Sequence, residues 1–441
     1  MNKIPYGRQH ITAEDIQAVV ETLQSDYLTQ GPHIPAFEEA FAAYTGSRYA
    51  LAVSNGTAAL HLCALALNVQ PGDKVITTPI TFVASANCVR FCGGEVVFAD
   101  IDPRTLLLDI KSVRHLLEAA PRATYKGIIP VDFSGRAVDL EAFRALADEY
   151  GLWMIEDACH APGGFFVDSR GEKQYCGNGR FAELAIFSFH PVKHIACGEG
   201  GMITTNDEEL YKQLLRLRSH GITKGDDPYS NSAAFANGWL PEAENETAPP
   251  NPGTVRPEVA PAAGQHSPRR AEESTESEAG TLPESTGPDY PAWYMEMQQL
   301  GYNYRLTDIQ AALGLSQLKR ADEGLARRRQ LAARYYEALK DLPAVRQQSF
   351  GPEGNAYHLY VIEAVQRRGL YDYLRSCNIL TQIHYIPAHL MPYYRQYGWQ
   401  EGDLPAAEEY YRHCLSLPMY PTLSDEQQDY VIGCIRNYYQ L

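Results

Sequence analysis

One lysine and a handful of polar residues carry the chemical interest of this chain. Lys193 stands in ELAIFSFHPVKHIACGEGG, residues 183–201. The first part, Leu184 to Phe187, is an apolar run of the kind a buried strand shows, and it breaks at Ser188 into a polar turn ending in Gly198, Glu199, Gly200 and Gly201. A lysine on a constrained loop beside buried strands can have its amine desolvated and its pKa lowered, the state a Schiff-base lysine requires. Alone, a lysine between polar neighbours reads as a solvated surface residue. Two other stretches supply companions. LWMIEDACHAPGG reads as a strand whose C-terminal end delivers Glu156, Asp157 and His160. Open α/β sheets bind ligands at the carboxyl ends of their strands, although Asp157 by itself would serve equally as a helix cap. YALAVSNGTAALHLCALAL gives a strand, a polar turn and a helix, so Ser54, Asn55, Gly56 and Thr57 fall at a helix N-terminus. Orphan N–H groups and the helix dipole favour an anion such as phosphate there, and a plain N-cap would look the same.

These residues need a scaffold, and the chain alternates strands with helices. TAEDIQAVVETLQ reads as a capped amphipathic helix, and PAFEEAFAAYTG as a second helix stopped by Gly46. In KVITTPITFVASANCVRFCGGEVVFADID two β-branched runs flank a helix with Phe82 near its start. YKGIIPVDFSG and AVDLEAFRALADEYG follow as strand and helix. The alternation predicts a mainly parallel sheet. From about Asp226 the composition turns to Pro, Glu, Ser and Ala with almost no large aliphatic residues, so residues 226–290 are expected to form a disordered insertion. The expected division is a large domain over 1–225, that insertion, a segment with a long helix over 291–325, and a smaller α+β domain over 326–441.

Composition sets limits on function. The 441 residues are 45% apolar with a net charge of −16, which argues against nucleic acid or an anionic membrane as partner. Nine cysteines without CxxC pairs suit reduced core thiols. His384 and His389 lack a third clustered ligand, so no metal is expected. The absence of a long apolar run and of an apolar leader gives a cytoplasmic expectation.

The motifs IPYGRQ, LTQGP, SNGTAALH, TPITFVASAN, IEDACHAPGG, SFHPVKHIACGEGG, LGYNYRLTDIQAALG and QIHYIPAHLMPYY occur in that order. Together they resemble the fold-type I, pyridoxal-phosphate-dependent sugar aminotransferases of the DegT/DnrJ/EryC family. The resemblance implies a large domain with a seven-stranded, mainly parallel sheet and a smaller C-terminal domain. It implies that Lys193 is the Schiff-base lysine and proton shuttle, that Asp157 pairs with the cofactor's pyridine nitrogen and that Phe82 stacks on its ring. Gly56, Thr57 and Ser188 would hold the phosphate, joined by Asn303 from the neighbouring subunit of a homodimer. His160 would hydrogen-bond the 3′-oxygen in a charge state left open. Tyr6, Asp26, Tyr27, Leu28, Thr29, Gln382, Ile383, His384 and Tyr385 would contact the sugar nucleotide. Cys159 and Cys197, beside site residues, read as packing.

Within the family, VDFSG, SFHPVKHI, WYMEMQQLGYNYR and HYIPAHLMPYY are most similar to enzymes of pseudaminic acid synthesis. These use L-glutamate to aminate C4 of a UDP-linked 4-keto-6-deoxy-N-acetylhexose. A dTDP- or GDP-linked keto-sugar is the alternative substrate. A non-catalytic regulator that binds the cofactor is a further one, and the intact set Lys193, Asp157 and Ser188 speaks against it. The related 3-dehydratases carry histidine at the lysine position, so Lys193 speaks against dehydration.

Overall fold

Short apolar runs punctuated by glycine, asparagine and proline become the strands of one sheet in the computed structural model, which describes residues 3–224, 228–238, 290–347 and 353–440. The strands are β1 (Tyr49–Val53), β2 (Lys74–Thr77), β3 (Glu95–Phe98), β4 (Tyr125–Ile129), β5 (Trp153–Asp157), β6 (Leu184–Ser188) and β7 (Gly201–Thr205). Their spatial order is β1-β7-β6-β5-β4-β2-β3. Neighbouring pairs from β6 through β3 are parallel, whereas β7 runs antiparallel to both β1 and β6. The expected mainly parallel sheet is therefore present, with one reversed strand. β6 and β7 are buried almost along their length, as strands covered on both faces must be.

Helices α1 (Ala13–Leu23), α2 (His33–Thr45), α3 (Gly56–Ala66) and α4 (Ala84–Phe91) are all in the expected places. Thr12 and Asp15 form a capping box at α1. That helix departs from simple amphipathic packing: Ile16, Val20 and Leu23 are exposed, while Asp15 and Thr22 are buried. The desolvation of Asp15 is offset by hydrogen bonds that it accepts from Ser316, Gln317 and Arg320 at 2.6–2.7 Å.

The described residues fall into two compact units, one running to Gly221 and resuming at Gln299, the other spanning Ile222–Gln298. In the first, strands Val345–Gln347, Tyr360–Ala364 and Cys414–Leu417 form a small antiparallel sheet. It has its own apolar cluster around Leu331, Tyr335, Leu370, Leu374, Leu415 and Ile435. The expected boundary at 325/326 needs correction, because it falls inside the continuous helix Ala321–Leu339. In the second unit, Ile222–Thr223 pairs with Glu296–Met297, and Ser232 caps the short helix Ala233–Ala236. Tyr229, Tyr290 and Tyr294 pack together there, with Tyr290 stacked on Tyr294 and Tyr229 edge-on to Tyr294. Residues 228–238 and 290 are thus ordered, contrary to expectation, because aromatic rings and capping bonds offset the poor aliphatic content. Residues 226–227 and 239–289 of the expected insertion lie outside the described residues. Among the described residues no helix is long and apolar enough to cross a membrane.

Candidate active site

The strand ends that sequence reading singled out meet around one cavity of about 790 Å³. β1 leads into the N-terminus of α3, β5 ends at Asp157, β6 ends at Ser188, and the loop between β6 and β7 carries Lys193. Tyr6, Gly56, Thr57, Phe82, Asp157, His160, Ser188, Lys193, His384 and Tyr385 all line this space.

At one end, Asn55 caps α3 by accepting from the Ala58 N–H at 2.8 Å. The N–H groups of the first helical residues have no partner within the helix and are free for an anion. A methyl group on Gly56 would come 3.0 Å from Ser188 Cβ, so glycine leaves the space between helix and hydroxyl open. Gly201 packs so closely on the Asn55 carbonyl that a Cβ there would sit 2.6 Å from it. These features fit a phosphate: a dipole end, a hydroxyl and a hollow that any side chain would narrow.

The Lys193 loop is closed at its base, where Phe189 N–H donates to Gly200 O at 2.8 Å and Cys197 N–H to Phe189 O at 3.0 Å. Lys193 is half-buried. Desolvation pulls its amine below the ordinary lysine range and the buried guanidinium of Arg328 adds to this, while Cys159 and Asp157 oppose it.

Asp157 is 5% exposed. Its Oδ2 accepts from Ser85 Oγ at 2.6 Å and its Oδ1 from the Cys159 N–H at 3.2 Å. Ser85 Oγ lies 2.8 Å from Thr81 Oγ1, so a short hydroxyl relay fixes the carboxylate. Such a buried, oriented carboxylate suits a protonated ring nitrogen.

His160 accepts the Ser134 N–H on Nδ1 at 3.2 Å, which places its proton on Nε2, 3.3 Å from the Tyr385 hydroxyl. Burial, together with the nearby Lys193, holds this ring neutral. The charge state open from sequence is therefore that of a neutral donor. Three histidines surround it. His358 lies 4.3 Å away ring to ring, His194 lies 5.8 Å from His358, and His384 packs at a tilt against Tyr6 at 5.3 Å. His194 Nε2 donates to Ala356 O at 2.8 Å. Arg328, 1% exposed, donates to the carbonyls of Tyr357, His358 and Met419 at 3.0–3.2 Å, fastening the segment that carries His358.

Seven expected contacts lie outside the cavity of their own chain. Asp26, Tyr27, Leu28 and Thr29 are exposed; Leu28 O accepts from the Asp308 N–H at 3.0 Å, and Thr29 bridges Thr307. Gln382 is exposed and accepts from its neighbour's N–H, while its backbone pairs with Ser416; Ile383 packs into the apolar clusters instead. Asn303 is exposed and bridges Ser219, and its neighbour Tyr304 faces the cavity. Sequence reading also passed over Thr81, Ser85, Tyr304 and His358, which line the space. Ser85 had a signal, three residues after Phe82 in the first turn of α4. His358 had none, sitting in a β-type run far from the lysine.

Known proteins resemble this chain over almost its whole length. The sequence profile of the DegT/DnrJ/EryC1/StrS aminotransferase family matches residues 9–244 and 280–436. The spore coat polysaccharide biosynthesis protein SpsC of Bacillus subtilis is 35% identical over 443 aligned residues, covering 98% of this chain and 96% of SpsC. Among solved structures, Helicobacter pylori PseC, an aminotransferase involved in pseudaminic acid biosynthesis, superposes with a TM-score of 0.77 at 28% identity over 100% of both chains. S. venezuelae DesV, solved in complex with a ketimine intermediate, gives 0.77 at 28% identity, also over 100% of both chains.

Proposed function

This chain belongs to the DegT/DnrJ/EryC1/StrS aminotransferase family and is a pyridoxal-phosphate-dependent sugar aminotransferase; from that premise we propose that it transfers the amine of L-glutamate to C4 of a UDP-linked 4-keto-6-deoxy-N-acetylhexose, giving UDP-4-amino-4,6-dideoxy-N-acetyl-β-L-altrosamine for pseudaminic acid synthesis. The observation that carries the reading is that Lys193, Asp157 and the Gly56–Ser188 cradle line one cavity. When bound, the cofactor supplies an electrophilic carbonyl and an electron sink. Gly56, Thr57 and Ser188 hold its phosphate at the α3 N-terminus. Asp157, fixed by Ser85 and the Cys159 N–H, keeps a proton on the ring nitrogen. Phe82, on the cavity wall, covers one face of the ring. His160 donates its Nε2 proton toward the ring oxygen. Lys193 anchors the cofactor through its amine; once displaced, that amine, its pKa lowered by desolvation, takes and returns the proton that moves between the reacting carbons.

The identity of the sugar is supported by the whole-length likeness to PseC and by the motifs that carry it. The higher identity to SpsC, a protein of spore coat polysaccharide biosynthesis, supports as the second reading an aminotransferase that acts on a different nucleotide-linked keto-sugar. A panel of UDP-, dTDP- and GDP-4-keto sugars with glutamate, read by mass spectrometry, separates the two. Formation of 2-oxoglutarate without any sugar present tests the glutamate half-reaction and distinguishes an enzyme from a silent cofactor binder.

The same reading makes the enzyme a cytoplasmic homodimer in which Asn303, and the run Asp26 to Thr29, serve the partner's site. Support comes from their exposure in a single chain, beside the uncovered apolar residues of α1. Mixing Lys193→Ala and Asn303→Ala dimers, each strongly impaired, tests this. Random reassociation restores roughly a quarter of wild-type sites if Asn303 acts in trans. Activity staying at the parental level, with mixed dimers verified by native mass spectrometry, rejects the shared site.

A further inference from the structure

Two buried carboxyl groups beneath the site have no place in the chemistry above. Asp132 and Glu156 are 0% and 2% exposed. One oxygen of each carboxylate and the Cys176 sulfur lie within 4.8 Å of one another. Each acid has one oxygen occupied by a backbone donor: Val138 N–H donates to Asp132 Oδ1 at 2.8 Å and Gly177 N–H to Glu156 Oε2 at 2.9 Å. The other two, Asp132 Oδ2 and Glu156 Oε1, are buried and receive no donor from the described residues. Two anions so placed would repel in a low-dielectric interior, and no water or cation is needed to relieve them if one proton lies between those oxygens.

We infer that Asp132 and Glu156 share one proton, and that this carboxyl pair is the latch that positions Asp157 and His160. The connections are short. Glu156 immediately precedes Asp157 on β5. The Asp132 N–H donates to Asp157 O at 3.0 Å, and the Asp157 N–H returns to Pro130 O at 2.9 Å. Two residues on, Ser134 N–H holds His160 Nδ1. Gly135, at φ +100°, lets this turn lie against the His358 segment, where a Cβ would come 2.6 Å from Tyr357 N and 2.9 Å from His358 N. Asp132 is thus the first residue of the turn that orients the neutral histidine, and Glu156 ties it to the strand that delivers the ring-facing carboxylate.

The groups facing the pair are the Cys176 thiol from the turn after the short hairpin Phe165–Val167/Lys173–Tyr175, and Asp157 and Cys159 from the end of β5. The Gly177 end of that turn is held by Thr204 Oγ1, which donates to Gly177 O at 2.7 Å. None of these groups is cationic. Burial therefore raises both acids, Asp132 to about 7 and Glu156 well above its ordinary value. An acid whose pKa is raised by folding binds more protons folded than unfolded, so its contribution falls as pH climbs toward the folded value. The latch holds at acid pH and loosens as pH rises through about 7.

The experiment uses the cofactor-loaded enzyme and the variants Glu156→Gln, Asp132→Asn and the double variant, with melting temperature followed from about pH 6 to about pH 10. Either amide can donate the missing hydrogen bond permanently, its carbonyl still accepting from Gly177 or Val138. Each single variant should fold and lose the alkaline fall in melting temperature. In the double variant two NH₂ groups face each other, so its loss should exceed the sum of the two singles. For the activity arm, which rests on the reading of Asp157 and His160 given above, the alkaline limb of kcat/KM in the singles should move up by about one pH unit or more with KM for the sugar unchanged. The thermal arm involves no substrate and stands or falls separately from the assignment of the reaction. An alkaline fall unchanged in both singles, a double variant equal to the sum, or both singles failing to fold would overturn the shared proton. So would a stoichiometric divalent metal in wild-type protein that both singles lose.

Discussion

Removing the Ser85 hydroxyl isolates what an oriented carboxylate contributes to holding the cofactor. Ser85 is 1% exposed, its Oγ lies 2.6 Å from Asp157 Oδ2, and the other carboxylate oxygen is held only by the longer 3.2 Å bond from Cys159 N–H. Ser85→Ala changes no packing volume of consequence. It leaves one buried carboxylate oxygen without its donor. A hydrogen bond to a buried charged group contributes about 1.5–3 kcal/mol, which is about 10–150-fold in an equilibrium constant. The measurement is cofactor affinity by absorbance titration in a Lys193→Ala background, where covalent attachment cannot mask the loss. Ser85→Ala should weaken binding at least about tenfold, the lower end applying if a water enters the space. In an Asp157→Asn background the same change should have little further effect, since the two residues act as one unit. A loss below about threefold, or full additivity with Asp157→Asn, would show that the hydroxyl relay does not orient the carboxylate for the cofactor.

Other expectations follow from the same site. Lys193→Ala should abolish turnover, and borohydride treatment of wild-type protein should fix the cofactor to the peptide containing Lys193, read by mass spectrometry; in apoenzyme this amine should label faster than the exposed lysines at neutral pH because its pKa is lowered. Gly56→Ala should weaken cofactor affinity about tenfold or more while moving the apoenzyme melting temperature little, since its methyl group enters the gap to Ser188 while alanine improves the helix. His160, His194, His358 and His384 are all held neutral by burial, His384 pushed down to about 3. Groups depressed in this way cost stability as pH falls below about 6.5, where the unfolded chain takes up protons that the folded chain refuses. The melting temperature should therefore decline steadily on acidification, and His160→Gln should make that decline shallower.

Residues whose environment is set locally were the legible ones. Lys193, Asp157 and Gly56 each follow an apolar strand, and a parallel sheet brings strand ends together whatever the intervening sequence, so their convergence could be anticipated. Six expected contacts that lie outside the cavity of their own chain, Asp26 to Thr29, Gln382 and Ile383, sit in segments whose side-chain direction depends on tertiary pairing, whereas Asn303 is expected at the neighbouring subunit's site. Gln382 turns outward because its backbone is paired with Ser416 of a strand more than thirty residues later. His358 and Arg328 were illegible for a related reason. One reads as a strand residue and the other as a helical surface arginine, until three carbonyl oxygens gather around the guanidinium. The partial order of residues 228–238 was missed because composition counts aliphatic residues and gives no weight to a cluster of tyrosines.

The reversed strand β7 has a bearing on assembly as well as on shape. Because it turns straight back along β6, Ser188 and Gly201 stand opposite each other as a register pair at the mouth of the lysine loop. Ser188 faces the α3 N-terminus and Gly201 presses on Asn55. A slip of one residue would send Ser188 to the opposite face of the sheet and bring Phe187 or Phe189 to the phosphate hollow. On the proposed reading of Gly56 and Ser188 as phosphate ligands, strand alignment and coenzyme capture are a single structural choice, and in a refolding experiment uptake of pyridoxal phosphate should report that these two strands have paired in register, a finer signal than compaction of the chain.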